Sequence, residues 1–130
     1  MTKTLTIDGT AIHDIPSFYD EINRVFMAGE DWKLGASLDA LADMFRGGYG
    51  AIEGGEPIKL IWLAMERSRT QLGLEATRAF YQDKLARPEM FNTEAISSRL
   101  AALEAGSGPT YFEIVLEIIA EHPNIELEAR

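Results

Sequence analysis

Cysteine is absent from the chain, and histidine occurs only twice, at His13 and His122. Without thiols there is no disulfide framework, no thiolate nucleophile and no thiolate-based structural zinc site. That composition suits a reducing cytoplasm, which is the expected compartment. Neither histidine falls in a metal-ligand spacing such as His-Glu-x-x-His, and no serine stands in a Gly-x-Ser-x-Gly context. No apolar run approaches the roughly 18 residues that a membrane span requires. The opening residues MTKTLTIDGT contain neither a basic block nor an apolar block, so no secretory leader is expected.

Bases are scarce as well. Twelve Lys and Arg face 21 Asp and Glu, for a net charge of -9. Such a chain is repelled by phosphate backbones and anionic lipid, which disfavours direct nucleic-acid binding and membrane attachment. Long-range attraction instead favours basic partners. Solubility alone accounts for the same charge, and composition does not separate the two readings.

The chain has 130 residues, 46% of them hydrophobic, which predicts one domain, residues 1–130, with a core of its own. Lys3 to Asp8 alternates, with Leu5 and Ile7 on one face, and reads as a first strand ended by Gly9. Asp14-Ile15-Pro16-Ser17 is a helix start, followed by Phe18, Ile22, Val25 and Phe26 at helical spacing up to Gly29. Ser37 is placed to cap a helix over Leu38 to Arg46. Ile58 to Leu63 is apolar except for Lys59 and reads as a central strand. Helical segments follow over Met65 to Leu72 and Leu74 to Leu85, the latter broken by Pro88, and Thr93 is placed to cap a third, ended by Gly106-Ser107-Gly108-Pro109. Thr110 and Glu113 form a capping-box pair at the start of a helix that runs to about Glu121. Ile125 to Glu128 alternates as a last strand. Strands separated by helices imply parallel pairing through crossovers, hence an α/β fold with a small three-stranded parallel sheet packed against helices.

The stretch WKLGASLDALADMFRGGYG, residues 32–50, carries the chemistry. On a wheel of about 100° per residue, Leu38, Leu41, Ala42 and Phe45 make one apolar face, widened by Ala40 and Met44. Asp39, Asp43 and Arg46 fall together on a narrow polar strip. One account is a solvated edge, with Asp43 and Arg46 paired at i,i+3 and Asp39 favoured by the helix dipole. The other is a rigidly held acidic recognition edge. The helix alone leaves both open.

The glycines that follow, Gly47, Gly48, Gly50, Gly54 and Gly55, match neither a Walker A loop nor a dinucleotide fingerprint. They permit a turn or a close backbone approach. Two aspartates one turn apart are too few to define a metal site, and no further acids or histidines converge on them. No catalytic residue, metal or cofactor is therefore expected, and an enzyme using the pair with a metal ranks last.

The segment Gly35 to Gly47, GASLDALADMFRG, resembles the barstar family of ribonuclease inhibitors through Gly35, Leu38-Asp39-Ala40-Leu41, Asp43 and Gly47. The resemblance extends to the first strand and turn at Thr4 to Gly9, to the strand around Lys59 to Trp62, and to the last helix and strand. It implies a barstar-like fold in which residues 74–108 are an inserted helical pair. It also implies an inhibitor or immunity protein that presses its acidic helix and neighbouring loop into a basic ribonuclease site, monomer to monomer. The carboxylates then stand where RNA phosphates bind, and fixed placement lowers the cost of association. On this resemblance Asp43 matches the most deeply inserted aspartate, Asp39 its acidic neighbour, and Glu117 a further contacting glutamate. Arg46 completes the strip.

There are departures from the family pattern. Lys33 and Leu34 stand where the family's best-known member has two tyrosines, and Ala42 stands in place of a tryptophan. Trp32 and Tyr49 are the nearby aromatics able to supply that contact; core packing is the competing account of Trp32. The alternative function is an adaptor that uses the same surface on a basic protein without nuclease activity.

Overall fold

The computed structural model describes residues 2–130. Three strands, β1 (Lys3–Asp8), β2 (Ile58–Leu63) and β3 (Ile125–Ala129), form a sheet in the order β1-β2-β3. Both pairings are parallel, with Leu5 opposite Leu60 and Leu60 opposite Leu127. The apolar run of β2 explains its central place: only a strand flanked on both sides and covered by helices can bury so many consecutive apolar residues.

Six α-helices connect the strands: α1 (Ile15–Phe26), α2 (Leu38–Arg46), α3 (Met65–Gln71), α4 (Leu74–Leu85), α5 (Thr93–Glu104) and α6 (Tyr111–Ala120). Asp14 caps α1 in a capping box with Ser17, and Thr110 caps α6 in a second box with Glu113. The cap of α5 differs from expectation. Asn92, not Thr93, accepts the Ala95 amide at 3.1 Å, and Thr93 is the first helical residue. Both residue types cap helices, and the chain uses the earlier one.

The main core centres on Trp62, which stacks on Phe18 at 6.2 Å and meets Phe112 edge-on at 5.5 Å. Its indole N–H donates to the buried Ser68 hydroxyl at 3.0 Å. Phe26 and Phe45, 5.4 Å apart, tie α1 to α2. The fold is thus a mixed α/β architecture with a three-stranded parallel sheet, as the strand and helix order implied.

Helices α4 and α5 pair as a hairpin with a small apolar cluster of their own, Tyr81, Ile96 and Leu103. Arg78 and Glu104 form an ion pair between the two helices. The hairpin is anchored near the start of α4. Thr77 Oγ1 accepts the Tyr111 amide at 2.7 Å and donates to the Gly73 carbonyl at 2.7 Å, and Phe80 meets Tyr111 edge-on at 5.1 Å.

Candidate functional site

Helix α2 is fixed at both ends by local chemistry. The Ser37 hydroxyl accepts the Ala40 amide at 3.2 Å. At the other end Gly47 adopts φ 93° and donates its amide to Met44 at 3.1 Å. A side chain at Gly47 would place its Cβ 2.3 Å from the Gly54 carbonyl oxygen, so only glycine fits this cap. Gly50, at φ 83°, leaves room for the Ala51 amide to reach the Phe26 carbonyl at 2.8 Å, pinning the loop to the end of α1.

The buried face of α2 is Leu41, Met44 and Phe45, while Leu38, Ala40 and Ala42 are half-buried. All six residues of the wheel's apolar face pack on or against the core, and Leu38 and Ala42 also line a cleft. Asp39, Asp43 and Arg46 are all exposed. Arg46 donates to Asp43 at 2.7 Å, with the two side chains 69% and 52% exposed, so the i,i+3 pair expected of a solvated edge exists.

Two aromatics bracket this edge. Trp32 lies on the loop before α2 and Tyr49 on the loop after it, their rings 4.9 Å apart and nearly edge-on. The Tyr49 hydroxyl donates to the Ala40 carbonyl at 2.7 Å. Burial, reinforced by the Asp43 charge, pushes the Tyr49 phenol above its usual range. Trp32 is 44% exposed, so core packing does not account for it. The loop that carries it is clamped by Asn23, whose side chain accepts the Leu34 amide at 2.7 Å and donates to the Leu34 carbonyl at 3.0 Å. Asn23 escaped the sequence reading because its partner is backbone eleven residues on, a contact without periodicity.

Gly35 has ordinary backbone angles and open space around its Cβ position, so the fold itself does not demand glycine there. Glu117 is exposed on α6, the helix packed beside α2. The α6 acid that shares a cleft with Asp39 is Glu121, which the sequence reading did not single out. No group of three or more His, Asp or Glu able to hold a metal occurs among the described residues. Among the described residues no helix is long and apolar enough to cross a membrane.

The cleft, of about 1130 Å³, runs between α2 and α6 on one side and the α4–α5 hairpin on the other. Across it from Asp39 and Glu121 stand Lys84, Arg87 and Arg99. The Lys84 ammonium lies 4.4 Å over the Phe80 ring and 5.0 Å over Phe91. Burial, together with the Arg99 and Arg87 charges, pulls it below the ordinary lysine range, and Asp39 opposes that shift.

Among curated proteins no match is found. The family model described as Barstar (barnase inhibitor) matches residues 2–86, which span β1, both glycine-flanked ends of α2, β2 and α4. The match covers well over half of the chain and includes the whole acidic edge with its two bracketing aromatics, and so this protein belongs to the barstar, or barnase inhibitor, family.

Proposed function

We propose that this chain is an inhibitor or immunity protein that blocks the basic active site of a ribonuclease or nuclease toxin, one-to-one, in the cytoplasm. The contact surface is the α2 edge with Asp39, Asp43 and Arg46, the flanking Gly35 and Gly47, the aromatics Trp32 and Tyr49, and Glu117 on α6.

One observation carries this reading. Two exposed carboxylates sit on a helix locked at both ends, beside an aromatic pair that is ordered yet half open to solvent. Fixed acids and rigid aromatics are the groups that bind a basic surface at low ordering cost. The Arg46–Asp43 pair does not obstruct this role. An exposed i,i+3 pair is worth only about 0.3–0.5 kcal/mol, so a cation of the partner displaces Arg46 at little expense. Family membership supports a ribonuclease as the class of partner.

The adaptor reading keeps one specific observation in its favour. Ala42 lines the cleft and leaves it open, so the contact surface differs from that of inhibitors with a large side chain there. Capture from the host lysate on the wild type and on Asp39→Ala/Asp43→Ala, followed by RNA hydrolysis assays on the eluate, separates the two. A basic protein held only by the wild type, whose nuclease activity the wild type suppresses, supports inhibition. A basic protein without nuclease activity supports the adaptor. Identical recovery by both baits would reject the acidic edge as the recognition surface.

A further inference from the structure

We propose that the cleft between the α2–α6 wall and the α4–α5 hairpin is a second recognition site, taking an amphipathic polypeptide segment of a partner. That segment presents basic side chains to Asp39 and Glu121 and acidic side chains to Lys84 and Arg99.

At the start of α4 the hairpin is held to α6, where Thr77 bonds to Tyr111 and Phe80 meets the Tyr111 ring edge-on. The cleft lining includes apolar Leu38 and Ala42 from α2 and Ile114 and Ile118 from α6. The mouth carries opposite charges on its two walls. No ion pair crosses it among the described residues: Arg87 is satisfied by Asp83 on its own helix, while Lys84 and Arg99 have no carboxylate partner. Asp39 and Glu121 have no cationic partner either.

Opposed, unpaired charges flanking an apolar trough are complementary to a segment with an apolar row and unlike flanks. A purely basic segment meets the hairpin cations, and a purely acidic one meets Asp39 and Glu121. The cleft, at about 1130 Å³, is large enough to take a stretch of chain. The inference is separable from the ribonuclease reading although both use Asp39, because Asp43, Trp32 and Tyr49 lie outside the cleft lining.

The test titrates the isotope-labelled full chain with three short stapled helical peptides that share one leucine row. One carries lysine on one flank and glutamate on the other, one carries lysine on both, and one carries glutamate on both. Inorganic phosphate serves as a fourth ligand. The expected result is saturable binding of the mixed peptide, with amide shifts confined to α2, α4, α5 and α6, and at least roughly fivefold weaker binding of the other two. Lys84→Glu/Arg99→Glu makes both walls acidic and should transfer the preference to the all-lysine peptide. Ala42→Trp, which fills the floor without touching a charge, should weaken the mixed peptide. The proposal is overturned if the wild type binds all three peptides equally or binds none. It is also overturned if the wild type prefers a single-charge peptide, or if phosphate alone reproduces the saturation, which would mark a plain anion site.

Discussion

Trp32 and Tyr49, from the loops on either side of α2, meet at 4.9 Å, and the Tyr49 hydroxyl reaches back to the Ala40 carbonyl. The pair therefore straps the two loops across the acidic edge and gives that edge an aromatic border. Trp32→Ala should leave the fold intact, since nearly half of the side chain is already in solvent. It should weaken the proposed ribonuclease complex by about 2 kcal/mol, as loss of an aromatic anchor does. An inhibition constant measured beside a melting curve decides this, and a drop in stability without a change in inhibition would return Trp32 to a structural role.

The two glycines at the ends of the α2 motif should respond differently to one extra methyl group. Gly47→Ala forces a left-handed residue and a Cβ contact of 2.3 Å with Gly54, so a loss of about 2 kcal/mol or more in chemical denaturation is expected. Gly35→Ala meets nothing within 4 Å and should be neutral for stability. A partner that presses against the backbone there would still detect it as weakened binding.

A third expectation concerns alkaline pH. Tyr19 and Tyr111 share a buried hydroxyl contact of 2.6 Å, and burial pushes both phenols above the ordinary value near 10. Below that value both are neutral, folded or unfolded, and their contribution to stability is whole. Above it the unfolded chain ionises while the buried phenols resist, so stability falls as pH climbs towards the raised folded-state values. Tyr19→Phe/Tyr111→Phe should flatten this alkaline decline. Either single change should cost about 1–3 kcal/mol at neutral pH by stranding the other hydroxyl, and less should be lost in the double variant than in the two singles together.

Thr77→Val should loosen the hairpin without opening the sheet. It removes the acceptor of the Tyr111 amide and the bond to Gly73 while keeping the side-chain shape, at a cost of about 1–3 kcal/mol. Hydrogen exchange should accelerate in α4 and α5 while β2 amides keep their protection. Uniform acceleration across the chain would mean that the hairpin does not open as a separate unit.

What could be read from the chain follows from how local each signal is. The helix start at Asp14, the capping box at Thr110, the Ser37 cap and the glycine after α2 are written within four or five residues and are legible there, while the capping role of Ser17 shows only in the fold. The central place of β2 was legible because Ile58 to Leu63 lacks alternation. The α5 start was misplaced by one residue because Asn92 and Thr93 are both good caps and only the backbone chooses. At the site, the acidic edge of α2 emerged from periodicity alone. The meeting of Trp32 with Tyr49, the Asn23 clamp and the wall of Lys84, Arg87 and Arg99 did not, since each depends on segments brought together in three dimensions. Glu121 was missed for a related reason. It is the C-cap just past α6, one turn beyond Glu117, and its place on the cleft with Asp39 depends on how Phe112, Val115 and Ile119 seat that helix.

The placement of Trp62 between Phe18 and Phe112 has a bearing on how the protein comes into being. Residues 2–86 hold the acidic edge, yet they leave one side of β2 without its ladder to β3 and Trp62 without Phe112. A nascent chain that has been made as far as β2 therefore carries a raw central strand, a template for pairing with other chains. The α2 edge stands on a completed sheet only after Ile125 to Ala129 has closed that side of β2, about sixty residues beyond Leu63. A fragment cut at residue 86 should aggregate, even though it contains every residue of the α2 motif.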